Sequence, residues 1–228
     1  MDIKRNLEDV LKKIEIAEKK SISGEKVELI AVTKTHGIDI IKEAIELGIT
    51  DIGENKVQEF TTKYENLGND VNFHLIGTLQ SNKVKYIYDK AKLIHSLDRM
   101  SLAKEIERKA QASNIIVNCL VQVNISNEES KGGVSFPETE KFIESLLDFK
   151  NLKIVGLMGI AKNTDDLSEI RSSFRRLYNL KEKIKKQNIE ELEMKYLSMG
   201  MSSDFEMAIE EGSNMVRIGS SIFGKRDY

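Results

Sequence analysis

One lysine, one arginine and two hydroxyl-rich segments carry the chemistry that can be read from this chain. Lys34 ends the run Ile30-Ala31-Val32-Thr33-Lys34. Side chains of an extended strand alternate between faces, so Ile30, Val32 and Lys34 share one face and the ammonium lies beside an apolar wall. Burial disfavours the charged form of a lysine and lowers its pKa from about 10.4, which supplies the neutral amine needed to form a Schiff base with a carbonyl. A structural lysine, with its stem along the wall and its head in water, is an equal alternative on position alone. Arg217, in Val216-Arg217-Ile218-Gly219-Ser220-Ser221, shares a strand face with Gly219. A guanidinium inside a sheet needs a partner, either a carboxylate, for which Glu54 is the candidate, or a ligand atom. Gly219 lets backbone approach a ligand closely, and Ser220 and Ser221 offer hydroxyls. A second such segment, Ser198-Met199-Gly200-Met201-Ser202-Ser203-Asp204, runs into a helical stretch, where its serines either cap the helix or bind an anion.

These residues act together only if a fold gathers them. Short apolar runs at Leu29–Lys34, Asp51–Asn55, Phe73–Gly77, Leu93–Leu97, Val117–Ile125, Ile154–Ile160, Tyr196–Gly200 and Met215–Ile222 read as strands. Between them, helical periodicity marks Ile40–Leu47, Leu102–Ala110, Thr139–Leu147, Ile170–Ile184 and Phe205–Glu210. Alternating strands and helices imply a parallel sheet with right-handed crossovers, and eight such units favour a closed (β/α)8 TIM barrel over an open doubly wound sheet. The 228 residues lie just under the ~250 typical of that barrel, and residues 1–228 read as a single domain. An extra amphipathic helix is expected at the N-terminus, where Ile3, Leu7, Val10, Leu11, Ile14 and Ala17 recur at helical spacing. In an α/β barrel the site lies at the C-terminal ends of the strands, and the loops after strands seven and eight frequently bind phosphate. Lys34, Asn55, Ser198, Ser202, Arg217, Gly219 and Ser220 all fall in that region. The glycine-rich signatures of Rossmann and P-loop folds are missing.

Composition narrows the ligand. A formal net charge of −2, with 32% charged residues, gives no electrostatic case for nucleic acid or for an acidic membrane, so a small molecule is expected. No apolar run reaches ~18 residues and the charged N-terminus has no apolar leader, which predicts a cytoplasmic protein. The single cysteine, Cys119, sits in an apolar run and reads as a buried thiol. His36, His74 and His95 show no paired spacing and no carboxylate cluster, so no metal site is expected and His74 reads as a core histidine. Gln80-Ser81-Asn82-Lys83 and Lys131-Gly132 could bring cations to a phosphate, although surface helix and turn readings are the stronger ones.

Taken in order, several motifs closely resemble the pyridoxal phosphate homeostasis proteins, the PROSC family, whose fold is like the barrel domain of alanine racemase. They are Ala31-Val32-Thr33-Lys34-Thr35, Gly53-Glu54-Asn55, His74-Leu75-Ile76-Gly77-Thr78-Leu79-Gln80-Ser81-Asn82-Lys83, Ser130-Lys131-Gly132, Gly156-Leu157-Met158-Gly159-Ile160, Leu197-Ser198-Met199-Gly200-Met201-Ser202 and Val216-Arg217-Ile218-Gly219-Ser220-Ser221-Ile222-Phe223-Gly224. Each alone is weak, but their order along almost the whole chain is specific. The resemblance implies that pyridoxal 5′-phosphate (PLP) is held as a Schiff base on Lys34. It further implies that Arg217 faces the pyridine nitrogen, that Ser202, Gly219 and Ser220 hold the phosphate, and that Asn55 lies beside the cofactor, with Ser198 in the same group. The family often has proline where this chain has Gly37.

Two classes of function follow from the resemblance. One is a non-catalytic protein that buffers, stores or delivers PLP, with PLP-dependent apo-enzymes as recipients. The other is a racemase of low activity. Alanine racemase needs a second β domain that supplies a tyrosine base across a dimer, and this chain ends at Phe223-Gly224-Lys225-Arg226-Asp227-Tyr228. The expectation is therefore a monomeric carrier.

Overall fold

In a computed structural model, which describes residues 2–126, 128 and 132–224, the eight expected strands close into a parallel barrel. They are β1 (Glu28–Val32), β2 (Asp51–Glu54), β3 (Asn72–Leu75), β4 (Leu93–Leu97), β5 (Val117–Asn124), β7 (Leu152–Gly159), β8 (Tyr196–Met201) and β9 (Met215–Ile218). Their order is β4-β3-β2-β1-β9-β8-β7-β5, and pairing of β4 with β5 closes the ring. A two-residue strand on the rim, β6 (Val134–Ser135), pairs with the upper end of β5 at Val123 and Asn124. It is too short to leave any periodicity in the sequence.

Six of the eight strands are a residue or more shorter at their C-terminal ends than the apolar runs suggest, whereas β4 ends at Leu97 as expected and β8 runs one residue further, to Met201. Lys34, Asn55, Ile76 and Ile160 consequently lie just beyond β1, β2, β3 and β7, on loops held in place by the barrel. The last barrel strand ends at Ile218 instead of Ile222, because Ser220–Phe223 turn into a short helix, α8, that buries Ile222 and Phe223.

Period-two alternation divides the strand residues between two apolar regions. Ile30, Leu93, Leu120, Val155, Met158 and Met215 point into the barrel, whereas Ala31, Ile52, Phe73, Leu75 and Val216 pack outward against the helices. Outside the sheet run α2 (Ile38–Glu46), α3 (Val57–Leu67), α4 (Met100–Ala112), α5 (Thr139–Glu144), α6 (Leu167–Lys185) and α7 (Phe205–Glu210), with a 3-10 segment, Ser81–Tyr86, between β3 and β4. Helix α3 is hard to read in advance, because its buried face, Val57, Phe60, Lys63 and Leu67, carries a lysine in the middle.

The N-terminal helix α1 (Ile3–Glu18) forms as expected, with Asp2 capping it by accepting from the Arg5 N–H at 2.9 Å. Its buried face is Ile3, Leu7, Val10, Ile14 and Ala17, whereas Leu11 is 47% exposed. Each fully buried aliphatic side chain of this size contributes about 1.5–3 kcal/mol. The helix packs on α7 and α8, and Asn6 Nδ2 donates to the Ile222 carbonyl at 2.9 Å. It thereby braces the turn that carries Gly219 and Ser220. No described helix is long and apolar enough to cross a membrane.

Candidate functional site

A cavity of about 320 Å³ opens at the C-terminal mouth of the barrel. Val32 and Lys34 enter it from the end of β1, Asn55 from β2, and Ile76 and Ile160 from β3 and β7; Ser202 and Ser203 follow β8, and Arg217, Gly219 and Ser220 come from β9. Six of the seven site residues expected from sequence therefore line one space. Lys34 is half-buried beside Val32, which the alternation places on its face, and beside Ile76 and Ile160, whereas Ile30 does not line the cavity.

Ser198 is the exception. It is fully buried and does not line the cavity, and it reaches the site through Arg217, whose Nη1 donates to Ser198 Oγ at 2.6 Å. Arg217 Nη2 donates to the Gly159 carbonyl at 3.1 Å. Burial pulls the guanidinium pKa down to about 10, against the opposing attraction of Asp204, so Arg217 stays cationic at neutral pH.

Of the two alternatives for Arg217, the pairing with Glu54 does not occur. Glu54 lies on the face of β2 that Ile52 directs at the helices, whereas Arg217 shares the inward face of Met215. Glu54 Oε1 instead accepts from Lys63 Nζ on α3 at 2.6 Å and from Thr33 Oγ1, while Lys63 Nζ also donates to the Thr33 carbonyl at 2.7 Å. Burial pushes the Glu54 carboxyl above its ordinary value despite the Lys63 ammonium. This buried clasp secures the residue before Lys34. Sequence reasoning missed Lys63, and the available signal was a lysine at a core position of a helical period.

Around the remaining wall, Ser202 Oγ accepts from the N–H groups of Gly219 at 3.2 Å and Ser221 at 3.4 Å, so the loops after β8 and β9 are joined at the cavity. A Cβ at position 219 would come within 3.2 Å of the Val32 carbonyl oxygen. Asn55 Oδ1 is buried without a hydrogen-bond partner among the described residues, which costs about 1–3 kcal/mol unless a ligand supplies a donor. His36 also lines the cavity and contacts the Phe223 ring, centroid to centroid 4.9 Å.

The cationic segment Ser81–Tyr86 does not line the cavity, and Lys83 Nζ lies 5.6 Å from the centroid of the Tyr86 ring. Lys131 lies outside the described residues. Cys119 is buried, which drives its thiol pKa upward, and no group of three metal-binding side chains occurs among the described residues.

A closed parallel barrel with a lysine after its first strand and an arginine on its last defines a class of protein. Residues 6–227 match the family model of the alanine racemase N-terminal domain. Curated relatives narrow the class further. The pyridoxal phosphate homeostasis protein of Aquifex aeolicus is 41% identical over 230 residues, covering all of both chains, and that of Haemophilus influenzae is 38% identical, covering 100% of this chain and 98% of its own. The chain belongs to the pyridoxal phosphate homeostasis protein family, within the wider alanine racemase N-terminal domain family.

Among solved structures, PipY of Synechococcus elongatus with PLP bound superposes with a TM-score of 0.84 at 29% identity, over 97% of this chain and all of that one. Alanine racemase of Clostridium difficile superposes at 0.75 with 14% identity, a likeness of fold alone, and this chain covers 57% of its length.

Proposed function

We propose that this chain binds PLP in the barrel-mouth cavity, with Lys34 holding it as a Schiff base, and that it buffers, stores or delivers the cofactor without turning over a substrate. The observation that carries the reading is the convergence on one cavity of an amine at Lys34, a cation at Arg217 and a buried acceptor without a partner at Asn55 Oδ1. The solved structure of PipY with PLP bound supports the binding of PLP.

The residues fit the group. Arg217 would meet the ring nitrogen, and Ser202, Gly219 and Ser220 would surround the phosphate. Asn55 would gain the donor that it lacks. When bound, PLP supplies an electron-withdrawing ring conjugated to the amine it captures. Arg217 contributes a fixed charge and fixed N–H donors, and the apolar wall of Val32, Ile76 and Ile160 keeps water from one side of Lys34.

Proton transfer to and from a substrate carbon needs positioned acids and bases. Besides Lys34 and His36, the described residues lining the cavity include no tyrosine, cysteine or carboxylate side chain, so the tyrosine base of a racemase is not among them, which supports holding over racemisation. A monomer in the cytoplasm, with PLP-dependent apo-enzymes as recipients, completes the proposal.

The visible spectrum of the purified protein tests it. Added PLP should give a band of lysine-bound cofactor that Lys34→Ala abolishes, and borohydride reduction should fix the mass of the cofactor on the Lys34 peptide. A colourless protein, or a band that survives Lys34→Ala, refutes the assignment. Lys34-dependent conversion of any L-amino acid to its D form in prolonged incubations refutes the non-catalytic role.

A further inference from the structure

Below Arg217, the inside of the barrel holds a column of polar side chains that the cofactor site does not itself explain. Ser198 Oγ lies 3.0 Å from His95 Nδ1, His95 Nε2 lies 2.9 Å from His74 Nδ1, and His74 Nε2 lies 2.9 Å from Asp51 Oδ1. Asp51 stands at the start of β2, at the end of the barrel opposite the cavity. Its carboxylate also accepts from Lys92 Nζ at 2.7 Å and from Thr50 Oγ1 at 2.7 Å. His74, His95 and Ser198 are fully buried, whereas the Lys92 side chain is 40% exposed.

The two ends of the column fix its direction. Arginine can only donate, and an ionised carboxylate can only accept. A neutral His74 must therefore direct its one N–H from Nε2 to Asp51, which leaves Nδ1 as the acceptor for His95 Nε2–H. His95 Nδ1 is then an acceptor as well, and the Ser198 hydroxyl, whose oxygen already takes a hydrogen bond from Arg217, donates to it. With both imidazoles neutral, every link is made only when both are protonated at Nε2.

The electrostatics agree with that state. Burial lowers both imidazole pKa values, for His74 against the opposing attraction of Asp51, and for His95 with the added repulsion that a protonated His74 would exert and that of Arg217. Lys92 and Glu28 are the other charges that His74 feels. Burial works to raise the Asp51 carboxyl, but hydrogen bonds from His74, Lys92 and Thr50 outweigh it and hold Asp51 well below the usual carboxylate range.

We propose that Asp51, His74, His95 and Ser198 are positioning residues that form a one-directional hydrogen-bond relay through the barrel axis, fixing Arg217 and making the cofactor site sensitive to the charge at the opposite end. Chains polarised in one sense strengthen each link, and the terminal carboxylate sets that sense. The proposal rests on the reading of the cavity as a PLP site, but its internal half can be tested without cofactor.

Two of the chain's three histidines belong to the relay, so protein labelled with ¹⁵N-histidine gives a readily assigned NMR spectrum. In cofactor-free protein, His74 and His95 should both be neutral and Nε2-protonated on either side of the ordinary imidazole pKa of ~6.5. A cationic or Nδ1-protonated ring at either position overturns the relay whether or not PLP binds. Asp51→Asn should mix the tautomers of His74, shift the band of bound PLP and weaken its binding on the order of fivefold, although Asp51 does not line the cavity.

Ser198→Ala, a second route to the same link, should weaken PLP binding by a similar factor while leaving the His74 tautomer intact. Unchanged band and affinity in these variants overturn the coupling. A wild-type protein with no Lys34-dependent band overturns the cofactor reading, and the tautomer spectrum then shows whether the relay stands without it.

Discussion

Replacing Lys63 with methionine tests whether the buried clasp beneath Lys34 is held by its ion pair. The Lys63 and Glu54 side chains are 7% and 0% exposed and 2.6 Å apart, so water cannot take over from the lost ammonium. Methionine fills a similar unbranched volume, which confines the change to charge and hydrogen bonding. Leaving an uncompensated buried carboxylate costs about 3–5 kcal/mol. For a chain of this size that corresponds to a fall in Tm of roughly 6–20 °C.

The cost should depend on pH, because Glu54 can escape it by taking up a proton. Its folded-state pKa is raised even with Lys63 present, and removing the ammonium raises it further. A carboxyl with a raised folded pKa contributes stability that is fully present below the unfolded value of ~4.3 and is lost as pH rises through the folded value. Urea denaturation of cofactor-free protein, followed by far-UV circular dichroism, should therefore show a small deficit for Lys63→Met near pH 5 and the full deficit at pH 8. Adding Glu54→Gln should recover more than half of the loss at pH 8. A deficit below 1 kcal/mol at pH 8, or one that is the same at both pH values, would refute the reasoning.

Three further outcomes are expected. Arg217→Glu should weaken retention of PLP by at least tenfold and shift its absorption band, because it replaces two hydrogen bonds and a buried cation with a buried anion; equilibrium dialysis and an absorbance titration check this. Asp51, held well below the usual carboxylate range, contributes stability that is present above the unfolded value of ~3.9 and is lost as pH falls through its folded value, so the stability of Asp51→Asn should fall less steeply in acid than that of wild type. Gly37→Pro should stabilise the chain by about 0.4–1 kcal/mol, because Gly37 caps α2 at φ −75° and an added Cβ meets nothing within 4 Å; a loss of stability in thermal denaturation would contradict it.

The Gly37 geometry also shows why this chain can depart from its family's frequent proline. The loop after Lys34 already holds the proline-compatible φ without the ring, so the departure costs conformational entropy in the unfolded chain and leaves the folded site unaltered. Legibility follows the same division between local and non-local signals. The eight barrel strands were readable because each is a short apolar run between helical periods, and Lys34, Arg217 and the serine loops were readable because they interrupt such runs at their C-terminal ends. Lys63 and the polar column were not. His74, His95, Ser198 and Asp51 come from four strands and lie 21 to 103 residues apart along the contacts that join them, so no spacing in the sequence announces them. Each alone is a polar residue in a strand, and only the inward face shared through barrel closure brings them into line.

That closure also bears on why the site holds its ligand. Burial lowers the Arg217 pKa to about 10, which still leaves the guanidinium protonated by a wide margin at neutral pH. Arg217 therefore serves as a hydrogen-bond donor and a charge, and it cannot act as an acid that delivers a proton to the ring. Below it the relay runs from donor to acceptor as far as Asp51, so neither neutral imidazole has a proton to spare in the direction of the cavity. A column whose every proton is committed away from the ligand fixes geometry and charge without offering an acid or a base. The cavity wall adds the His36 imidazole but no phenol or carboxylate among its described residues. That arrangement supports the proposal that the site retains its cofactor on Lys34.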